Sequence, residues 1–170
     1  GVGMISNMKA TELLRRRIVF AENRFAELVL WRLSKPLDGS RHLFKYRMAY
    51  VVDGECVLRY DNEVGKGDHR HWGRTEGKYP FSGPEKLIAD FLRDQRHLFL
   101  MKEMDRFRSL HPGLRAQYEG TYIAMRDGHV LDHDVDGNQL YARVRERLGD
   151  TPVLIVEVTD QPEQLFTRTS

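Results

Sequence analysis

The sequence holds 170 residues, enough for one ordinary domain or two small ones, and its 41% hydrophobic and 31% charged residues exclude a disordered chain. No apolar run is long enough to span a bilayer, and Cys56, the single cysteine, excludes an internal disulfide and a cysteine-rich zinc site and points to a reducing, cytoplasmic compartment. The net charge of +2 is uneven: residues 1–100 hold 18 Lys and Arg against 13 Asp and Glu, and residues 101–170 hold 9 against 12, so a basic half suits nucleic acid and an acidic half a basic surface.

Gly1 to Asn7 has neither a basic start nor an apolar stretch, so no secretory signal is expected there, and Met8-Lys9 reads as a start. Arg17 to Phe20 and Phe25 to Leu33 are rich in strand formers and flank a turn at residues 21–24. Ser34 to Arg41, with Pro36, Asp38, Gly39 and Ser40, is a loop. His42 to Val52 alternates, Asp53-Gly54 is a strong hairpin turn, and Glu55 to Asn62 alternates again. Gly65-Lys66-Gly67 is a further turn, His69 to Gly73 a short strand, and Thr75 to Gly83 a loop. Pro84 suits the first turn of a helix with Leu87, Ile88, Phe91 and Leu92 on one stripe. The stripe loses phase near residues 95–100 and resumes at Met104, Phe107, Leu110 and Leu114, so a domain boundary falls near residue 100, with the helix free to run through it.

His111-Pro112-Gly113 reads as a helix stop. Thr121 to Met125 and His129 to Leu131 flank a turn at residues 126–128, Asp136 caps a helix from Gly137 to Leu148 that Gly149 ends, and Val153 to Val158 is a strand. The tail after Pro162 reads as loose. The whole is an α+β chain: an antiparallel β-meander closed by one helix over residues 1–100, then a small β-β-α-β module over residues 101–170.

A two-residue loop sets Val52 against Glu55, which puts Arg47 opposite Tyr60 and Lys45 opposite Asn62, on one face with Ala49, Val51, Cys56 and Leu58. The other face then carries Tyr46, Met48, Tyr50, Val57, Arg59 and Asp61. The polar end runs into Gly65-Lys66-Gly67-Asp68-His69-Arg70-His71, where the two histidines point the same way and the glycines let backbone N–H groups approach an anion. RNA cleavage without metal needs a base, an acid and cations on the phosphate. His69 and His71 suit the first two, Lys45, Arg47 and Lys66 the third, and Tyr60 an orienting or acidic role, with Asn62, Arg59, Asp61 and Asp68 at the margin. The same cluster also suits a plain hydrogen-bonded rim.

Asp61, Asp68, His69 and His71 offer metal donors but in no specific ligand spacing, so neither metal nor cofactor is expected. The acids from Asp132 to Asp136 imitate an EF-hand start, but Arg143 stands where the bidentate acid belongs, so they are expected to cap and charge a helix. Trp31 and Trp72 could stack bases, but core or rim packing suits each better.

Several strings resemble the TumE family of toxins: Leu30-Trp31-Arg32, His42-Leu43-Phe44-Lys45-Tyr46-Arg47, Ala49-Tyr50-Val51, Leu58-Arg59-Tyr60-Asp61-Asn62-Glu63 and Gly65 to His71. The likeness covers about Met8 to Arg96. It implies growth inhibition relieved by a cognate antitoxin, usually of helix-turn-helix type. Nuclease action on RNA follows from the residue chemistry and not from the likeness. Phe107 to Val158 resembles a different small family seen behind antitoxin-like regions, through Leu110-His111-Pro112, Tyr118-Glu119-Gly120, Tyr122-Ile123-Ala124, Val130 to Asp134 and Thr151 to Leu154. The alternatives are a non-enzymatic module that grips RNA, the ribosome or a protein, and an inactive or self-inhibited fusion; a homodimer stays open.

Overall fold

The computed structural model describes residues 8–161, and the readings made for Gly1 to Asn7 and for the tail after Pro162 lie outside them. The chain is α+β, and it divides into two compact units between Gln95 and Arg96. Six antiparallel strands, each paired with the next, form the first sheet: β1 (Ala10–Ala21), β2 (Arg24–Leu33), β3 (Phe44–Val52), β4 (Glu55–Glu63), β5 (Gly67–Trp72) and β6 (Thr75–Lys78). The loop expected from Thr75 to Gly83 is thus a strand over its first four residues, which are exposed throughout. A strand wet on both faces leaves no period-two signal to read.

The register of the β3–β4 hairpin departs from the expected one. Val52 faces Glu55 and Val51 faces Cys56, but Tyr50 then faces Leu58, Met48 faces Tyr60 and Arg47 faces Asp61. The extra residue, Val57, is a β-bulge, and it turns every side chain beyond it to the other face. Burial explains it. The simple register would set Arg59 and Asp61 among Tyr46, Met48 and Tyr50, which are at most 2% exposed. Burying Arg59 there would cost several kcal/mol, whereas the bulge leaves 32% of its side chain exposed. With the bulge, one face is apolar (Ala26, Leu28, Leu30, Tyr46, Met48, Tyr50, Leu58, Tyr60, all at most 3% exposed) and the other is charged.

Helix α1 (Pro84–Tyr118) brings Leu87 and Phe91 to the first unit's apolar core, Phe91 meeting Tyr60 edge-on at 5.7 Å between ring centroids. It runs on through Pro112, against the stop expected there. Leu114 and Tyr118 continue the stripe of Phe107 onto the same cluster, and that burial outweighs the roughly 3 kcal/mol cost of an internal proline.

In the second unit a sheet in the order β8-β7-β9 is built from β7 (Tyr122–Arg126), β8 (His129–Asp134) and β9 (Leu154–Glu157). One apolar cluster joins Phe107 to Ile123, Met125, Leu154, Val156 and Val158. Another joins Ala124 to Leu140 and Val144 of α2 (Gly137–Leu148). Asp136 caps α2, accepting from the Asn138 and Gln139 amides at 2.9 and 3.3 Å. Asp132 and Asp134 close on Arg143; its guanidinium holds the Asp132 carboxyl below the usual range, and the Asp136 amide, then Arg143, hold the Asp134 carboxyl there. No helix among the described residues is long and apolar enough to cross a membrane.

Candidate functional site

The bulge at Val57 decides which of the candidate residues meet. Strand alternation and register bring Lys45, Arg47, Arg59, Asp61, His69 and His71 onto one face, with Glu76 and Lys78 of β6 beside them. Tyr60, Asn62 and Asp68 project from the opposite face, so the expected pairing of Arg47 with Tyr60 does not occur.

On the charged face Arg59 is the hub. Its Nε lies 3.0 Å from Asp61 Oδ2, and its Nη2 lies 3.1 Å from His71 Nε2. Guanidinium nitrogens only donate, so this contact needs a lone pair on His71 Nε2, the form that can take a proton. Asp61 is 6% exposed, and its Oδ1 is buried without a hydrogen bond, 3.7 Å from the same His71 nitrogen. His69 and His71 lie 6.5 Å apart between ring centroids. Glu76 sits between them, 3.8 and 3.9 Å from their Nε2 atoms. Sequence reading missed Glu76 because it fell in the unrecognised strand β6. Lys45 donates to the Asn62 carbonyl. Burial lowers its ammonium below the ordinary lysine value, against the pull of Asp61 and Glu63. The Arg47 side chain is exposed and makes no ion pair or hydrogen bond among the described residues.

Three of the other four candidates hold the fold. Tyr60 is fully buried and donates to Asp94 of α1; burial first, then that bond, pushes its hydroxyl up to about 12, with Arg70 opposing. Asn62 is 1% exposed and spans a gap in the ladder, accepting from Tyr46 N at 2.9 Å and donating to Phe44 O at 2.7 Å. Asp68 accepts from the Tyr46 hydroxyl at 2.7 Å and pairs with His42 Nε2 at 2.9 Å. The His42 Nδ1 accepts from Phe44 N at 3.1 Å, so its Nε2 is the donor to Asp68. Asp68 therefore faces away from Asp61, His69 and His71, which separates the four metal donors weighed earlier.

Gly65 and Gly67 do not cradle an anion either. The Gly65 amide donates to Asp38 O at 2.8 Å and the Lys66 amide to Glu63 O at 3.1 Å. A Cβ on Gly39 would lie 3.2 Å from the Gly65 carbonyl carbon, and one on Gly67 would lie 3.3 Å from Gly39 O. The glycines let loop and turn backbones touch. Lys66 pairs loosely with Glu63 at 3.7 Å.

Residues 7–99 match a family described as Toxin TumE, and residues 114–157 match a family of unknown function, DUF5678. No curated protein and no solved structure matches the chain.

Proposed function

The chain belongs to the TumE toxin family, the toxin side of a toxin–antitoxin pair with a cognate antitoxin as partner, and on that premise we propose that it cleaves RNA on the charged face of its six-stranded sheet. One observation carries the reading: two imidazoles 6.5 Å apart share a face with Arg59 and with the unpaired Arg47. That gap accommodates a single phosphodiester with each ring within hydrogen-bond reach, about 3 Å. As substrate arrives, Arg59 turns from His71 to the phosphate and frees Nε2. His71 takes the 2′-hydroxyl proton, and the 2′-oxygen attacks phosphorus. The bond to the 5′-oxygen breaks, and His69 gives that oxygen its proton, leaving a 2′,3′-cyclic phosphate and a 5′-hydroxyl. Arg59 and Lys45 stabilise the charge that grows on the phosphate oxygens, and Arg47 holds the strand on the face. Tyr60, Asn62 and Asp68 take no part, because they line the other face. The antitoxin is of helix-turn-helix type, as the family likeness implies, and the compartment is the cytoplasm.

Induced expression of the parent chain and of a His69→Ala/His71→Ala variant tests this. The parent should arrest growth and fragment total RNA, and the variant should do neither while accumulating as folded protein. A variant as toxic as the parent, with RNA intact in both, would remove the nuclease reading. Salt-dependent RNA binding without turnover would replace it with a gripping module.

A further inference from the structure

The charged face is ordered in rows. One register row crosses all six strands: Arg15 faces Val29, Val29 faces Arg47, Arg47 faces Asp61, Asp61 faces His69 and His69 faces Lys78. Strands lie about 4.8 Å apart, so the row is roughly 24 Å long. Of the acids near it, Glu76 stands exposed 3.8 Å from His69, and Glu12 is paired with Arg15 at 3.1 Å. Asp61 is paired with Arg59 at 3.0 Å, and Glu27 with Arg17 at 3.1 Å. By contrast the side chains of Arg47 and Lys78, both exposed, make no ion pair or hydrogen bond among the described residues, and they stand on either side of His69 in the row. At the β1–β2 end of this face Trp31 is half-buried, with the Arg15 guanidinium 5.8 Å from its ring centroid. An indole with a guanidinium beside it is a platform for an unstacked base and its phosphate. Trp72 projects from the opposite face and offers none.

We propose that single-stranded RNA crosses this sheet at right angles to its strands, Lys78 and Arg47 holding the phosphates that flank the one at His69, and Trp31 with Arg15 holding a base and phosphate at the far end. This rests on the reading of the face as an RNA surface. It adds Lys78, Trp31 and Arg15 as binding residues and sets a footprint on the order of four nucleotides. The strand must be single, because a base within a duplex cannot stack on Trp31.

The test is binding of fluorescent oligouridylates of two, four, eight and twelve nucleotides to the full chain in the uncleaving His69→Ala/His71→Ala background. Affinity should climb from the dinucleotide and level off once the row is filled. Trp31→Ala should weaken the octamer about tenfold and leave the dinucleotide unchanged, with Trp31→Phe restoring most of the loss. Lys78→Ala should lower the slope of log affinity against log salt by about one, and Lys78→Arg should restore it. Unaltered length dependence and salt slope in Trp31→Ala and Lys78→Ala, in a chain whose parent cuts RNA, would overturn the track and leave the nuclease reading standing. No binding at any length, with no cleavage by the parent, would overturn both.

Discussion

Arg59 and Tyr60 are neighbours in sequence, and their fates diverge because one strand has two faces. Arg59 organises the charged side by donating to His71 and pairing with Asp61, while Tyr60 is sealed beneath, bonded to Asp94. Three buried hydroxyls share that second environment. Burial and a bond to Asp68 raise Tyr46, burial and Asp94 raise Tyr60 to about 12, and burial and Asp90 raise Tyr79. A phenol in the unfolded chain ionises near pH 10, so above that point the unfolded state has lost protons that the native state keeps, and stability falls as pH rises. Thermal melts should therefore drop between roughly pH 10 and pH 12. Tyr60→Phe should cost about 1 kcal/mol at neutral pH and make the alkaline decline shallower. Equal alkaline slopes in parent and variant would contradict this account of Tyr60.

At the level of elements, the meander, both helices and the second unit's hairpin and cap were legible because alternation, Asp-Gly turns and Asp136 each have a local cause. What was hidden depends on packing between elements. Val57 carries no mark of a bulge in its own residue type. It shows only when the two possible registers are compared: one mixes charge and apolar side chains on both faces, the other separates them. Four of the ten candidates therefore changed side: Arg59 and Asp61 join Lys45, Arg47, His69 and His71, while Tyr60 and Asn62 leave that face. Strand β6 and the passage of α1 through Pro112 were illegible for related reasons, one lacking any buried period and the other rescued by distant apolar contacts. Deletion of Val57 should restore the simple register and drive Arg59 and Asp61 toward the core. The expected product is insoluble or lacks near-ultraviolet tertiary signal; a soluble chain with the parent's melting temperature would show that the bulge does not set the faces.

Across the molecule, the two compact units correspond to two different family likenesses, and α1 supplies both: Leu87 and Phe91 to the first core, Phe107 to the second. In the first unit the sheet buries one face on its core and carries charged residues on the other. In the second unit the acids that resembled a calcium loop are consumed by Arg143 and by the α2 cap. The most direct test of the whole account is product analysis after incubating purified full-length protein with end-labelled single-stranded RNA in the presence of a metal chelator. The account predicts fragments ending in 2′,3′-cyclic phosphate from the parent and none from His69→Ala/His71→Ala. Intact RNA with the parent, or cleavage that survives loss of both imidazoles, would contradict it.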